Sequence, residues 1–367
     1  DHSGEVSVAT LRRQPLHHER MASSVNNSAW LEWIAGLMGG VSRQTHAATF
    51  PPDRFYCLLD ELPLHLIPKG TRRILQGEES PQPLYLNPEC MIGPAERIPD
   101  DLISRRDLLS GFALQGTIAW VGDSVNSALL PFWLGPEFAS VLGGLRREEP
   151  IPASVSIHAR RVLSAAGILV PEARLEQRPS EVLEEERKAA ALFQEKGYAP
   201  LGKLIHPFHV AALRRYYRRL IRSGAIQLGD GQSDRRYAAY NEPVARFFHR
   251  QIAARLSAVA GEPLKASYVY LASYISGAEL RKHTDRAQCD FSITFCLDFS
   301  PEPELATPWP IRLDTPKGTV TVYQALGDGL AYRGTRLPHY RSALPEGQTS
   351  MSIFFHYVAA DFDGPLG

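Results

Sequence analysis

Two residues able to share one metal ion stand two apart at His283 and Asp285. They close the segment Tyr274-Ile-Ser-Gly277-Ala-Glu-Leu-Arg-Lys-His283-Thr-Asp285. In extended chain, residues two apart project to the same face, so an imidazole nitrogen and a carboxylate oxygen reach toward one point. A third donor must come from elsewhere. His339, in Gly334-Thr-Arg-Leu-Pro-His339-Tyr-Arg341, is the best candidate, 56 residues on (339 − 283). It lies just past the strand that begins at the Gly327-Asp328-Gly329 turn and leaves room for one closing strand. Two imidazoles and one carboxylate on one face of a six-coordinate ion leave three positions open, the donor set of non-haem iron(II) oxygenases.

The tripeptide alone carries little weight. With 12 histidines and 40 acidic residues in 367, about one His-x-Asp/Glu arises by chance. A second copy does occur, at His17-His18-Glu19, in a polar stretch without apolar period. The later copy gains from context: it follows a strand, opens a strand-rich block and is followed by a late histidine. The competing reading is a surface His–Asp pair on an ordinary β-sandwich. His356, on the expected last strand, competes with His339; only His339 follows the Gly-Asp turn and precedes a closing strand.

The elements that must position these groups follow from periodicity. From Lys265 onward, β-branched and aromatic runs alternate with Gly, Pro and Asp turns, which predicts strands at Ser267–Ser276, Phe291–Phe299, Ile311–Leu313, Thr319–Gln324, Gly329–Arg333 and Met351–Val358. Helical patterns do not separate them, so the arrangement is an antiparallel sandwich or barrel. Two amphipathic helices precede the block. Phe208–Ser223 carries Leu213, Tyr216, Tyr217, Leu220 and Ile221 on one face, and Gly224 ends it. Asn241 is a plausible N-cap for the second, which has Pro243 in its first turn and runs to about Val259. Arg214, Arg215, Arg218, Arg219 and Arg222 invite a nucleic-acid reading, but such interleaved charge fits the outer face of a helix packed on a sheet.

Further upstream the signals thin out. Residues 1–25 read as a disordered tail, and residues 26–175 as a mixed, mainly helical α+β domain of unknown role. Within it, Glu137–Leu145 and Ala153–Ala166 have helical spacing, Gly167 is a stop, and Ile168–Val170 reads as a short strand; a winged-helix-like module fits, as does irregular packing. The charge-rich run 172–188 reads as a solvated helix face or linker and marks the domain boundary. Residues 176–264 then supply linker and support helices, and 265–367 the β-rich core.

Composition excludes some classes. The 40 basic residues balance the 40 acidic ones, so nothing global draws the chain to nucleic acid or an anionic membrane. The most apolar stretch, Leu108–Val121, is shorter than the roughly 20 residues a membrane span needs. The four cysteines (57, 90, 289 and 296) form no Cys-x-x-Cys, which suits a reducing compartment, and a cytoplasmic location is expected.

Residues 265–358 resemble the double-stranded β-helix (jelly-roll) core of the iron(II)/2-oxoglutarate dioxygenases, nearest to the prolyl-4-hydroxylase-like branch. Tyr274, Gly277, His283, Asp285, the Gly327-Asp328 turn, His339 and the closing strand Ser350–Tyr357 carry the resemblance. With the helices from about Glu195 it covers the last 170 residues or so. The resemblance implies iron(II) held by His283, Asp285 and His339, with 2-oxoglutarate and dioxygen as cosubstrates, and hydroxylation of an unactivated carbon. An amino-acid, peptide or protein side chain is the implied substrate by analogy. The Asp285 carboxylate disfavours halogenation. One departure stands out. The branch carries a Lys or Arg about ten residues after the second histidine, where this chain has Thr349 and Ser350. Arg341 is the chosen substitute for gripping the distal carboxylate, ahead of Arg312, Arg286 and Arg333, with hydroxyls from Tyr274, Ser350 and Ser352 assisting. Two rivals remain: a non-catalytic β-helix binding or sensor protein, and a cupin-like metalloenzyme that does not use 2-oxoglutarate.

Overall fold

The structure is a computed structural model that describes residues 5–7, 50–60, 62–75, 82–123, 126, 128–172 and 180–367. Its strands in chain order are β1 (Glu5–Ser7), β2 (Leu84–Leu86), β3 (Cys90–Pro94), β4 (Thr117–Asp123), β5 (Ala128–Leu134), β6 (Leu169–Pro171), β7 (Tyr198–Leu201), β8 (Arg236–Tyr240), β9 (Leu264–Tyr274), β10 (Leu280–His283), β11 (Phe291–Ser300), β12 (Ile311–Thr315), β13 (Gly318–Tyr323), β14 (Gly329–Arg333), β15 (His339–Arg341) and β16 (Thr349–Ala359). The helices are α1 (Lys69–Leu75), α2 (Asp100–Ile103), α3 (Pro136–Gly143), α4 (Ile157–Ala165), α5 (Ser180–Lys196), α6 (Pro207–Arg222) and α7 (Pro243–Ala260).

Two sheets face each other in the C-terminal half. The larger has the order β7-β14-β11-β16-β9-β8, the smaller β1-β13-β12-β15-β10. Adjacent strands pair antiparallel except β1 with β13, and from β9 to β16 the chain alternates between the sheets apart from the β12–β13 hairpin, which is the jelly-roll arrangement. Period-two patterning explains the larger sheet. On β11, Phe291, Ile293, Phe295 and Leu297 join the core beneath the helices, while Ser292, Thr294 and Cys296 point into the space between the sheets. On β16, Ile353, Phe355 and Tyr357 face the helices, and Ser350, Ser352, Phe354 and His356 face inward.

The hydrophobic cluster under that sheet extends from Phe50 to Tyr357 without interruption. Both α6 and α7 are buried along most of their circumference, because residues 50–60 and the sheet β3-β4-β5 cover their far side. Phe55 packs edge-on against Tyr216 and Phe248, and His209 Nε2 donates to the Pro131 carbonyl oxygen at 2.8 Å.

Several expectations need correction. Glu5–Ser7, read as tail, pairs with Thr321–Tyr323, since the open edge of β13 offers unsatisfied backbone groups; the rest of 1–25 lies outside the described residues. The described upstream residues include strands as well as helices. Besides the expected strand near Ile168, β3, β4 and β5 form an antiparallel sheet, and β6 pairs with β2. The stretch Leu108–Val121 breaks into a 3-10 turn and the start of β4. The charged run 172–188, by contrast, is a solvated helix face as expected: its described part belongs largely to α5, with Glu184, Arg187 and Lys188 exposed. Asn241 does not cap α7: it takes a left-handed conformation, φ 49°, and Glu242 caps instead, accepting from Val244 N at 3.1 Å and Ala245 N at 3.0 Å. Not all of the α6 arginines face water: Arg222 is exposed, but Arg214, Arg215 and Arg219 reach into the molecule. Arg214 is only 1% exposed and pairs with Asp298 at 2.9 Å, because residues 50–66 pack over that face. Among the described residues, no helix is long and apolar enough to cross a membrane.

Candidate metal centre

Strand β10 ends at His283 and pairs with β15, which begins at His339; the two residues are direct cross-strand partners. Asp285 lies two residues past the end of β10, its backbone N–H donating to the Gly334 carbonyl oxygen at 2.8 Å. Residues 56 apart in sequence are thereby brought ring to ring, with 4.4 Å between the His283 and His339 centroids. Asp285 Oδ1 lies 3.6 Å from His283 Nε2 and 3.5 Å from His339 Nε2. One ligand atom from each of the three residues falls within a 4.8 Å set.

The remaining ring nitrogens settle the tautomers. His283 Nδ1 lies 2.7 Å from the Arg281 carbonyl oxygen, and His339 Nδ1 lies 3.0 Å from that of Leu337. A carbonyl only accepts, so each Nδ1 donates a proton, and in the neutral ring each Nε2 presents a lone pair toward Asp285. In a six-coordinate ion with bonds of about 2.1 Å, cis donors stand about 3 Å apart. The observed spacings need a contraction of about half an ångström, so the donor set fits such an ion.

The electrostatics agree. Burial pushes the Asp285 carboxyl up, but His283, His339, His356 and the Ser292 hydroxyl together hold it below the ordinary carboxylate range. The Asp285 partnership raises His283 above its ordinary value, whereas burial lowers His339. A carboxylate among imidazoles is the charge pattern that a divalent cation completes.

Arg341 lies two residues beyond His339 on β15, facing the same interior about 7 Å along the strand. It is buried, lies over the Trp309 ring at 4.8 Å and donates to Gln324 Oε1 at 3.0 Å and to the Trp309 carbonyl oxygen. Both acceptors are neutral. Tyr274 stands edge-on to Trp309 at 5.2 Å, and its register partner on β16 is Ser350. Ser352 pairs with Cys296, a buried neighbour of Arg341. The weaker candidates point elsewhere. Arg333 is tied to Glu262 at 3.0 Å and Asp290 at 3.2 Å, Arg312 to Ser342 Oγ at 2.9 Å, and Arg286 to Tyr268 Oη at 3.0 Å.

Sequence reasoning did not find Ser292, which donates to Asp285 Oδ2 at 2.9 Å, nor the part played by Gly334. His356, the rival third ligand, turns its Nδ1 to Ser292 Oγ at 2.8 Å, behind Asp285. The signal for Ser292 was its alternation with Phe291 and Ile293, which marks it as an interior polar group. Trp309 is a buried anchor whose indole donates to the Ser342 carbonyl oxygen at 2.7 Å.

No family model and no curated protein sequence matches the chain. Among solved structures it is similar to SnoN, a non-haem α-ketoglutarate-dependent epimerase from nogalamycin biosynthesis, at 16% identity and TM-score 0.41, over 48% of this chain and 82% of that one. It is also similar to an oxidoreductase of the 2OG-Fe(II) oxygenase family from Burkholderia pseudomallei, at 11% identity and TM-score 0.38, over 49% of this chain and 92% of that one. A prolyl-4-hydroxylase from Pseudomonas putida gives 18% identity and TM-score 0.39, over 47% and 98% of the two chains. Each likeness covers about half of this chain, and the chemistry of the site rests on its own geometry.

Proposed function

We propose that the chain is an iron(II)- and 2-oxoglutarate-dependent oxygenase that hydroxylates an unactivated carbon of an amino-acid, peptide or protein side chain. The observation that carries this reading is the convergence of His283, Asp285 and His339, with both Nδ1 atoms committed to backbone carbonyls. Oxidative decarboxylation of 2-oxoglutarate with dioxygen at such an ion gives succinate, carbon dioxide and an oxidant able to remove hydrogen from carbon.

The chain's own residues supply the rest. Asp285 and the two imidazoles bind on one face and leave the other open. The Arg341 guanidinium, already held by Trp309 and Gln324, turns toward the interior with donors suited to the distal carboxylate. Its distance of about 7 Å along the strand from His339 suits a five-carbon diacid chelated at the other end. Tyr274, Ser350 and Ser352 line the same interior and add hydroxyl donors. The packed aromatic wall of Tyr274, Trp309 and Phe354 excludes water from that end.

Anaerobic addition of 2-oxoglutarate to the iron(II)-loaded protein should produce a weak visible charge-transfer band, and admission of air should release succinate. A wild-type protein without the band, or a His283→Ala variant that retains it, would refute the proposal. A band without succinate would favour the non-catalytic binder.

A further inference from the structure

We infer that Ser292 and His356 are positioning residues for Asp285: acting through the Ser292 hydroxyl, they hold the carboxylate so that only one of its oxygens is offered to the metal. The inference rests on the metal reading above and concerns how Asp285 binds rather than whether it does.

The two carboxylate oxygens have different surroundings. Oδ1 faces both Nε2 atoms, at 3.6 and 3.5 Å. Oδ2 faces away from them and accepts from Ser292 Oγ at 2.9 Å. The hydroxyl carries a single proton, and its other close partners are the Cys289 carbonyl oxygen at 3.2 Å and His356 Nδ1 at 2.8 Å. Ionised carboxylate and carbonyl only accept, so the proton goes to the nearer of them, Asp285. His356 Nδ1 must then be the donor to Oγ. The result is a directed chain, His356 Nδ1–H to Ser292 Oγ–H to Asp285 Oδ2, with every member at least half-buried.

The strands enforce it. Ser292 and His356 are register partners on β11 and β16, both on the inward face. Gly334 also closes against the carboxylate beside the hydroxyl: a Cβ there would stand 2.3 Å from Asp285 Oδ2 and 2.9 Å from Ser292 Oγ. The hydroxyl and the glycine thus crowd the same oxygen, Oδ2, which limits the freedom of the carboxylate to turn.

A second donor set, Asp285 with Cys289 and His356, also falls within 4.8 Å. Ser292 Oγ lies between two of its members, and the Cys289 thiol lies 3.0 Å from Tyr268 Oη. These groups form the scaffold behind the ligand, not a second ion site. Their effect is to keep Asp285 monodentate. A carboxylate free to offer both oxygens would occupy a fourth position and leave too few for a bidentate cosubstrate and dioxygen.

The test uses Co²⁺ alone as probe, followed by its visible absorption in the full chain. Ser292→Ala should weaken Co²⁺ binding about 10–100-fold and alter the ligand-field bands. His356→Leu should weaken it in the same direction, and His356→Asn, whose amide nitrogen stands near the Nδ1 position, should restore it to within about threefold. Wild-type affinity and spectrum in both Ser292→Ala and His356→Leu would overturn the inference. If Ser292→Ala fails to fold, the two His356 variants decide it alone. Wild type that does not bind Co²⁺, or His283→Ala that binds it equally well, would instead remove the metal reading beneath it.

Discussion

Alanine at position 334 would place a methyl group in the space that fixes the Asp285 carboxylate. The ideal Cβ falls 2.3 Å from Asp285 Oδ2, 2.4 Å from the Cys289 carbonyl oxygen and 2.9 Å from Ser292 Oγ. Ordinary carbon–oxygen contact needs about 3.3 Å, so two of these contacts are short by about 1 Å. Gly334 does not occupy the left-handed region, so backbone strain contributes nothing and the whole effect is crowding. One of the crowded atoms is backbone, which yields little, and the carboxylate must move. Overpacking of this kind costs about 1–3 kcal/mol, or about 2–12 °C in Tm. Displacing a ligand by about 1 Å should weaken the metal site about 10–100-fold, or about 1.4–2.8 kcal/mol. The assay is a Co²⁺ titration of Gly334→Ala alongside melts in chelator and in excess ion. The variant should gain less thermal protection from the ion than wild type does. Equal affinity and equal protection would show that Oδ2 is not confined, and the account of the site would be wrong at its centre.

Arg341→Met keeps the volume and removes the charge; it should raise the 2-oxoglutarate Kd about 10–150-fold while leaving Co²⁺ affinity within about threefold. Unchanged 2-oxoglutarate titration would place the distal carboxylate elsewhere. Asp298→Ala strands the Arg214 guanidinium, 1% exposed, and should cost about 3–5 kcal/mol in urea unfolding. A loss under about 1 kcal/mol would mean that Glu302, 3.2 Å away, suffices. Burial lowers both His209 and His249 to about 3. The unfolded chain therefore takes up their protons first. Stability should be intact above about pH 6.5 and fall below it, by about 1.4 kcal/mol per pH unit for each group. Urea midpoints at several pH values should show this, and His249→Gln should flatten the slope; an unaltered slope would count against it.

How much of this was legible in the chain can be argued from particular residues. The spacing of His283 and Asp285 was readable because two-residue periodicity needs no tertiary knowledge. Six of the eight strands from Leu264 onward were placed to within a few residues, because their inward and outward faces differ in polarity, whereas β10 and β15 were missed as too short for a period to show. The third ligand needed the pairing of β10 with β15, which a late histidine after a turn only suggested. Ser292 was invisible as a positioning group because its partners, 7 residues before and 64 after it, meet only through sheet register. Asn241 had the right chemistry for a cap, but Glu242 also accepts from Tyr216 and Tyr217, and that tertiary tie moved the cap by one residue. Upstream, short strands such as β3 and β6 carry too few residues for a period to emerge.

The covered arginine face of α6 has a practical corollary. Arg215 donates to the Tyr56 carbonyl oxygen and stacks on its ring at 4.1 Å, Arg219 reaches the carbonyl oxygen of Arg54, and Arg214 that of Leu66. These peptide oxygens act as neutral sockets for a row of cations. A fragment trimmed back to the barrel and its helices would unplug them. It would present a basic ribbon beside bared aromatic rings, and would cling to polyanions and to itself. Affinity for heparin or nucleic acid in such a fragment would report the trimming, not the biology.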